Sequence, residues 1–255
     1  MASGAIAAAM VVSLSACASD NSSTEHPGSD TKAADATLTK ANFSQTVAAA
    51  QKEVESAHMV ATIEAAGSSG AISGDFTGFS DIASMSMDMQ LKLAGKQIQM
   101  RLVDKTLYLS GAGISSDKSK PWVKIDLNDP NNPLASLMDT ANPQSFTSYL
   151  QAVETLDDKG TETVDGVQAH HYVLTVDTAK ALAANPALKG QDMSKLGLPA
   201  EITTDVWLND DDLPVKMSVP LGKVASFEAH FSKYGEPVSV EAPPADQVGD
   251  FSFGG

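Results

Sequence analysis

The chain has 255 residues and a formal net charge of -15, with 32 acidic against 17 basic side chains. That balance excludes a nucleic-acid binder and argues against adhesion to anionic lipid through overall charge. One cysteine excludes an intramolecular disulfide, so the fold has to be held by its core.

From Met1 to Ala16 there is no charged side chain, and Ala5 to Val12 is almost wholly apolar. The run is shorter than the roughly 20 residues that a bilayer requires, and it has the length of a signal-peptide h-region. It ends in Leu14-Ser15-Ala16-Cys17, which resembles the bacterial lipobox: an aliphatic residue, two small ones, then cysteine. The expectation is that residues 1–16 form a lipoprotein signal peptide and that the Cys17 thiol receives a diacylglyceryl group. Cys17 then becomes the N-terminus, tethered at the extracytoplasmic face of the cell membrane. One feature departs from the pattern. Signal peptides open with Lys or Arg, and residues 1–16 contain neither, as a start codon upstream of Met1 or a trimmed sequence would give.

Residues 17–38 read as the lipidated cysteine and a linker rich in Ser, Thr, Asp, Ala and Gly, without apolar periodicity. As a flexible coil of about twenty residues it reaches roughly 25 Å. Residues 39–253 then read as a single domain with room for a substantial core.

That domain opens with a helix: Phe43, Val47, Ala50 and Val54 recur at helical spacing, with Thr39 as N-cap. The period then becomes two. Met59 to Ile63 begins one strand and Ala71 to Phe79 a second. Met85, Met87, Met89, Leu91 and Leu93 alternate with polar residues, so this strand has one apolar and one wet face. Ala94-Gly95-Lys96 turns the chain into Ile98, Met100 and Leu102, and Asp104-Lys105 turns it into Leu107 to Leu109, giving an antiparallel meander.

Pro121 to Ile125 is a short strand. Asn142-Pro143 then starts a helix whose stripe is Phe146, Tyr149, Leu150 and Val153. Strands flank Asp165-Gly166, a strong hairpin signal, and Asp177 caps a short helix ending near Asn185-Pro186. Ile202–Leu208, Val215–Val219 and Val224–Phe231 return to strand, with Asn209 to Asp212 as a turn. The pattern predicts an α+β fold: about ten antiparallel strands with helices gathered on one face.

Three blocks carry a resemblance. They are Val164-Asp165-Gly166-Val167 through His170-His171-Tyr172 to Val176-Asp177; Asp205 to Asn209 with Leu213-Pro214-Val215; and Val238 to Asp246. With the lipobox ahead of them they resemble the actinobacterial LppX/LprG (LppX_LprAFG) lipoprotein family, whose fold is similar to that of LolA-type carriers. The resemblance implies a strongly curved antiparallel sheet, a half-open barrel, with helices on its concave face around an apolar cavity. It also implies binding of acylated lipids or glycolipids, their passage through the cell envelope, a membrane lipid transporter alongside, and no covalent chemistry.

Moving an acyl chain through water costs on the order of 0.8 kcal/mol per CH₂, so a chain of about sixteen carbons needs an apolar container. A curved sheet with one apolar face can supply it. By strand parity its lining is Met85, Met87, Met89, Leu91, Ile98, Met100, Leu102, Leu107 and Leu109. Methionine adapts to ligands of variable shape. Taken without the resemblance, the same residues read rather as ordinary core packed against the helices, and it is the resemblance that turns the reading to a cavity.

No enzyme is expected. There is no nucleophile elbow, P-loop or H-E-x-x-H motif. His170 and His171 are adjacent on a strand and point to opposite faces, so they cannot chelate one metal together. His58 and His230 read as surface or satisfied core residues. Asn209 to Asp212 lacks the spaced ligands of an EF-hand and reads as a solvated turn. Trp122 and Trp207 read as packing anchors or residues of a cavity mouth. No catalytic residue, metal ligand or cofactor is assigned, and the domain reads as a monomer. A sensor or scaffold lipoprotein acting through a protein partner is the alternative function. A transporter's solute-binding subunit ranks last, because it calls for two lobes of alternating strands and helices.

Overall fold

The computed structural model describes residues 38–65, 67–78, 84–111, 113–127, 152–183, 199–222 and 225–250. They lie in one compact unit, residues 37–255, which carries its own hydrophobic core.

Helix α1 (Phe43–Lys52) begins later than the spacing suggested. Its N-cap is Asn42, not Thr39. The Asn42 carboxamide oxygen accepts from both the Thr39 amide (2.7 Å) and the Thr39 hydroxyl (2.9 Å), closing a turn ahead of the helix. The Leu38 amide donates to the Tyr172 hydroxyl at 3.4 Å, which ties that turn to the sheet. Val54 falls beyond the helix, and the buried stripe is Phe43 and Val47.

Among the described residues twelve strands follow, where about ten were expected. They are β1 (Ser56–Ala65), β2 (Ser68–Thr77), β3 (Ser86–Leu93), β4 (Lys96–Val103), β5 (Thr106–Gly111), β6 (Trp122–Asp126), β7 (Val153–Val164), β8 (Val167–Asp177), β9 (Glu201–Leu208), β10 (Pro214–Leu221), β11 (Ala225–Ser232) and β12 (Val248–Asp250). A short helix, α2 (Thr178–Ala183), follows β8, and the Asp177 carboxylate accepts the Lys180 amide at 2.9 Å as its cap. The helix expected over Phe146, Tyr149 and Leu150 lies outside the described residues, as do Phe79, Asn185, Pro186 and Val224. Val153, expected on that helix, is instead in β7, paired with Val176 and buried in the core.

The strands form one curved open sheet in the order β12-β6-β5-β4-β3-β2-β1-β11-β10-β9-β8-β7. Two meanders, β1–β6 and β7–β11, meet at the β1–β11 pair, where Ala61 opposes Ala229 and Ala65 opposes Ala225. Small side chains let this seam close: Ala57, Ala61 and Ala229 are buried. The hairpins turn where expected. Asp165-Gly166 and Ala94-Gly95 both have two positive φ values, matching the right-handed twist of their strands.

One expectation needs correction. The sheet is not wholly antiparallel, because β12 pairs parallel to β6 at the edge. The segment after β11 returns across the sheet to reach it. Ser56 Oγ donates to the Glu236 carbonyl at 2.5 Å and Arg101 Nη1 to the Glu241 carbonyl at 3.3 Å on the way. A single 3₁₀ turn (Ala245–Gln247) then delivers β12.

Candidate functional site: the apolar face of the sheet

Residues directly paired across strands share a face. One such row runs Tyr172–Val206–Met217–Ala229–Ala61–Ile72–Leu91–Ile98, from β8 to β4. It shows that α1, which sets Phe43 edge-on against Tyr172 (centroids 5.6 Å apart, 71° between planes), covers the same face that carries the β3 and β4 apolar residues. Around α1 the packing is closed: Val47, Leu174, Val176 and Leu208 are wholly buried.

The β1–β6 meander continues that face. Met87 opposes Leu102, Met89 opposes Met100, and Leu91 opposes Ile98; Met100 then opposes Leu109, and Leu102 opposes Leu107. The ladders therefore bring eight of the sequence-derived lining residues onto one surface. Met85 stands just ahead of β3, half-buried, and Cys17 lies outside the described residues. Unlike the core under α1, most of this surface is half-buried: Met87, Leu91, Ile98, Met100, Leu107 and Leu109.

The strand alternation also marks apolar neighbours that were passed over. Ile72 and Phe76 on β2 oppose Leu91 and Met87, and Val123 and Ile125 on β6 oppose Leu109 and Leu107. Gly74, between Met59 and Met89, is a place of close approach. A Cβ there would stand 2.1 Å from the Asp88 carbonyl oxygen and 2.8 Å from Met89 Sδ. The glycine lets the methionine lie across β2.

The opposite face is polar and cross-linked. His171 stacks on Trp207 (4.3 Å) and bonds Asp205 at 2.8 Å, while Trp207 Nε1 donates to Glu162. Lys216 lies over the Trp207 ring at 5.2 Å and pairs with Glu228 at 2.9 Å. His230 contacts Asp165 at 2.5 Å and Glu228 at 3.2 Å. The hydrogen bond that the His230 ring donates to Asp165 raises the His230 pKa, and the hydrogen bond donated by Lys216 lowers that of Glu228. His58 bonds Asp75 at 2.7 Å. Arg101 pairs with Asp88 at 2.8 Å and covers the Trp122 ring at 5.0 Å. Both tryptophans therefore belong to this polar side rather than to the apolar face.

His170 and His171 do point apart, His170 stacking on Tyr172 and bonding Asp158. Burial raises the Tyr172 pKa. Asn209 Oδ1 accepts the Asp211 and Leu213 amides, at 3.0 and 2.9 Å, and so organises the β9–β10 turn. Among the described residues, no group of three or more His, Cys, Asp or Glu is placed to hold a metal ion. Among them, too, no helix is long and apolar enough to cross a membrane.

The family model for LppX_LprAFG lipoproteins matches residues 39–240. The chain belongs to the LppX_LprAFG lipoprotein family. Among solved structures it is similar to the lipoprotein LppX of Mycobacterium tuberculosis, at TM-score 0.56 and 17% identity, over 79% of this chain and 98% of that one. It is also similar to LprF of Mycobacterium bovis, at TM-score 0.54 and 16% identity, over 80% and 96%. At such identities the likeness is one of fold. An uncharacterized 31.2 kDa protein from the rplA-rplJ intergenic region of Streptomyces griseus is 29% identical over 206 residues. Those residues are 72% of this chain but only 65% of that relative's length. Membership of the LppX_LprAFG family implies association with the cell envelope.

Proposed function

We propose that this lipoprotein binds the acyl chains of lipids or glycolipids on the apolar face of β2–β5 and carries or presents them across the cell envelope. In this reading Cys17 bears the lipid anchor at the outer face of the cell membrane, and a membrane lipid transporter works alongside. The observation that carries the proposal is the half-buried, methionine-rich surface around Met87, Met89 and Met100, continuous with a tightly sealed core. A protein with no apolar ligand gains by burying such a surface completely, at about 25 cal/mol per Å². Unbranched methionines suit a ligand whose chains vary in length and saturation. The polar network on the other face keeps the sheet's outside wet.

Native mass spectrometry of a chain beginning after Cys17, with solvent extraction of anything bound, tests the reading. Omitting the anchor keeps the protein's own lipid from being read as cargo. Diacyl or triacyl lipid at near-stoichiometric amounts, lost in Met87→Trp and Met100→Trp, is the expected result. A folded protein that is empty and also rejects added envelope lipids overturns it.

A further inference from the structure

The apolar face has a direction. Along β4 the inward side chains run from Leu102, 1% exposed, through Met100 and Ile98 to exposed Lys96. Along β3 they run from Met89, 6% exposed, through Leu91 to Leu93, 46% exposed. Both gradients end at the β3–β4 turn. There Leu93 stands over Gly70, where an added Cβ would come within 3.2 Å of Leu93 Cδ1. The turn is made by Ala94 and Gly95, at φ 49° and 75°, so no bulky side chain caps the tip.

Charge picks out the same place. Lys92 and Lys96 flank Leu93, both are exposed, and neither ammonium group makes an ion pair or hydrogen bond among the described residues. At this end of β1–β5, Glu64 and Asp117 are the acidic residues among residues 64–71, 91–98 and 109–120, against Lys92, Lys96, Lys118 and Lys120. In a chain of net charge -15 the tip is a local reversal.

We infer that the Lys92–Lys96 hairpin tip is a docking point for an anionic lipid surface. Leu93 enters the interface and the two ammonium groups meet the headgroup phosphates. The overall negative charge does not prevent this, because charges farther than a Debye length of about 8 Å from the surface are screened while the tip lysines sit against it. The lysines carry side-chain stems that lie along an apolar surface while their heads stay wet. The inference rests on the lipid-carrier reading for its purpose: an acyl chain leaving the membrane at Leu93 meets an apolar track leading inward to Met89. The contact itself can be measured apart from that reading.

The test is co-sedimentation of the chain without residues 1–17, a form that keeps the entire compact unit, with vesicles of phosphatidylglycerol and phosphatidylcholine in equal parts and with pure phosphatidylcholine vesicles. The expected result is salt-sensitive binding to the anionic vesicles. Lys92→Glu with Lys96→Glu weakens it by about 25-fold or more, at roughly fivefold per lysine near the surface. Leu93→Ser weakens binding at both low and high salt. Lys52→Glu with Lys105→Glu changes net charge equally at two exposed lysines away from the tip, the second in the β4–β5 turn at the far end of β4, and leaves binding unchanged. Wild-type protein that ignores anionic vesicles, a tip variant that binds like wild type, or a control variant that loses as much as the tip variant overturns the inference. Extraction of bound lipid from the same samples separates the two readings. Empty protein that still docks through the tip sinks the carrier proposal alone, and loaded protein that ignores vesicles sinks the docking alone.

Discussion

On β8 and β9 the inward side chains are sealed: α1 lies against them, and Leu174 is fully buried between Tyr172 and Val176. On β3 and β4 the inward side chains have the same alternation and the same face, yet Leu91, Ile98 and Met100 stay half-buried. The residue types differ with the packing. The sealed half uses Leu, Val, Tyr and Phe, whose shapes interlock into one arrangement. The other half concentrates methionine, which fills irregular space at little cost in strain. One apolar surface thus divides into a part closed under α1 and a part that stays partly open around the buried Met89 and Leu102.

Mutation separates the halves. Leu174→Ala should cost about 2–5 kcal/mol in urea unfolding, because the site is closed and leaves a cavity. Leu91→Ala should cost clearly less, and a loss as large as that of Leu174→Ala would mean that both halves are core of one kind.

Much of this was legible in the residues. The β3–β5 register followed from strict alternation and from turn dipeptides, because a one-residue slip would move every methionine to the wet side. The apolar neighbours on β2 were harder to see, since Gly70 and Gly74 interrupt the pattern where the face comes closest to β3. Val153 misled because it continues a helical spacing from Phe146, Tyr149 and Leu150, whereas pairing with Val176 captures it for β7. Strand β12 has three residues and no alternation to read; its place depends on a parallel edge that only the assembled sheet offers. The histidine–carboxylate pairs were hidden for a related reason. His171 and Asp205 are 34 residues apart, and His230 and Asp165 are 65 apart.

Gly74→Ala sharpens the contrast at a smaller scale. Its Cβ would collide with backbone at the β2–β3 pair, so the strands must part, at a cost of about 1–3 kcal/mol. Lipid retention should fall with it, as Met89 is displaced; denaturant unfolding and lipid extraction on one preparation check both.

The smallest effect belongs to the wet face. His230 has a raised folded pKa, so its contribution is fully present below the unfolded value of about 6.5 and fades as pH rises through the folded value. His230→Gln should therefore destabilise the protein more at pH 5.5 than at pH 8.5, by less than about 1 kcal/mol for such an exposed pair. Urea midpoints of both proteins across that range give the answer, and a larger loss at the alkaline end would contradict the assignment.

The alanine seam has a consequence for how the molecule comes into being. Within each meander, neighbouring strands in the ladder are also neighbours along the chain, so their loops are short to close. At the seam, His58 meets Ser232, and the intervening chain must be gathered before a single pair of that ladder can form. Long-range pairing of this kind slows folding. The folding chain therefore spends its longest wait as two separate ribbons with their apolar sides uncovered. When the seam does form, its Ala61–Ala229 and Ala65–Ala225 pairs close with no loss of rotamer freedom, while Met59–Phe231 and Ile63–Phe227 beside them supply the apolar area that holds it.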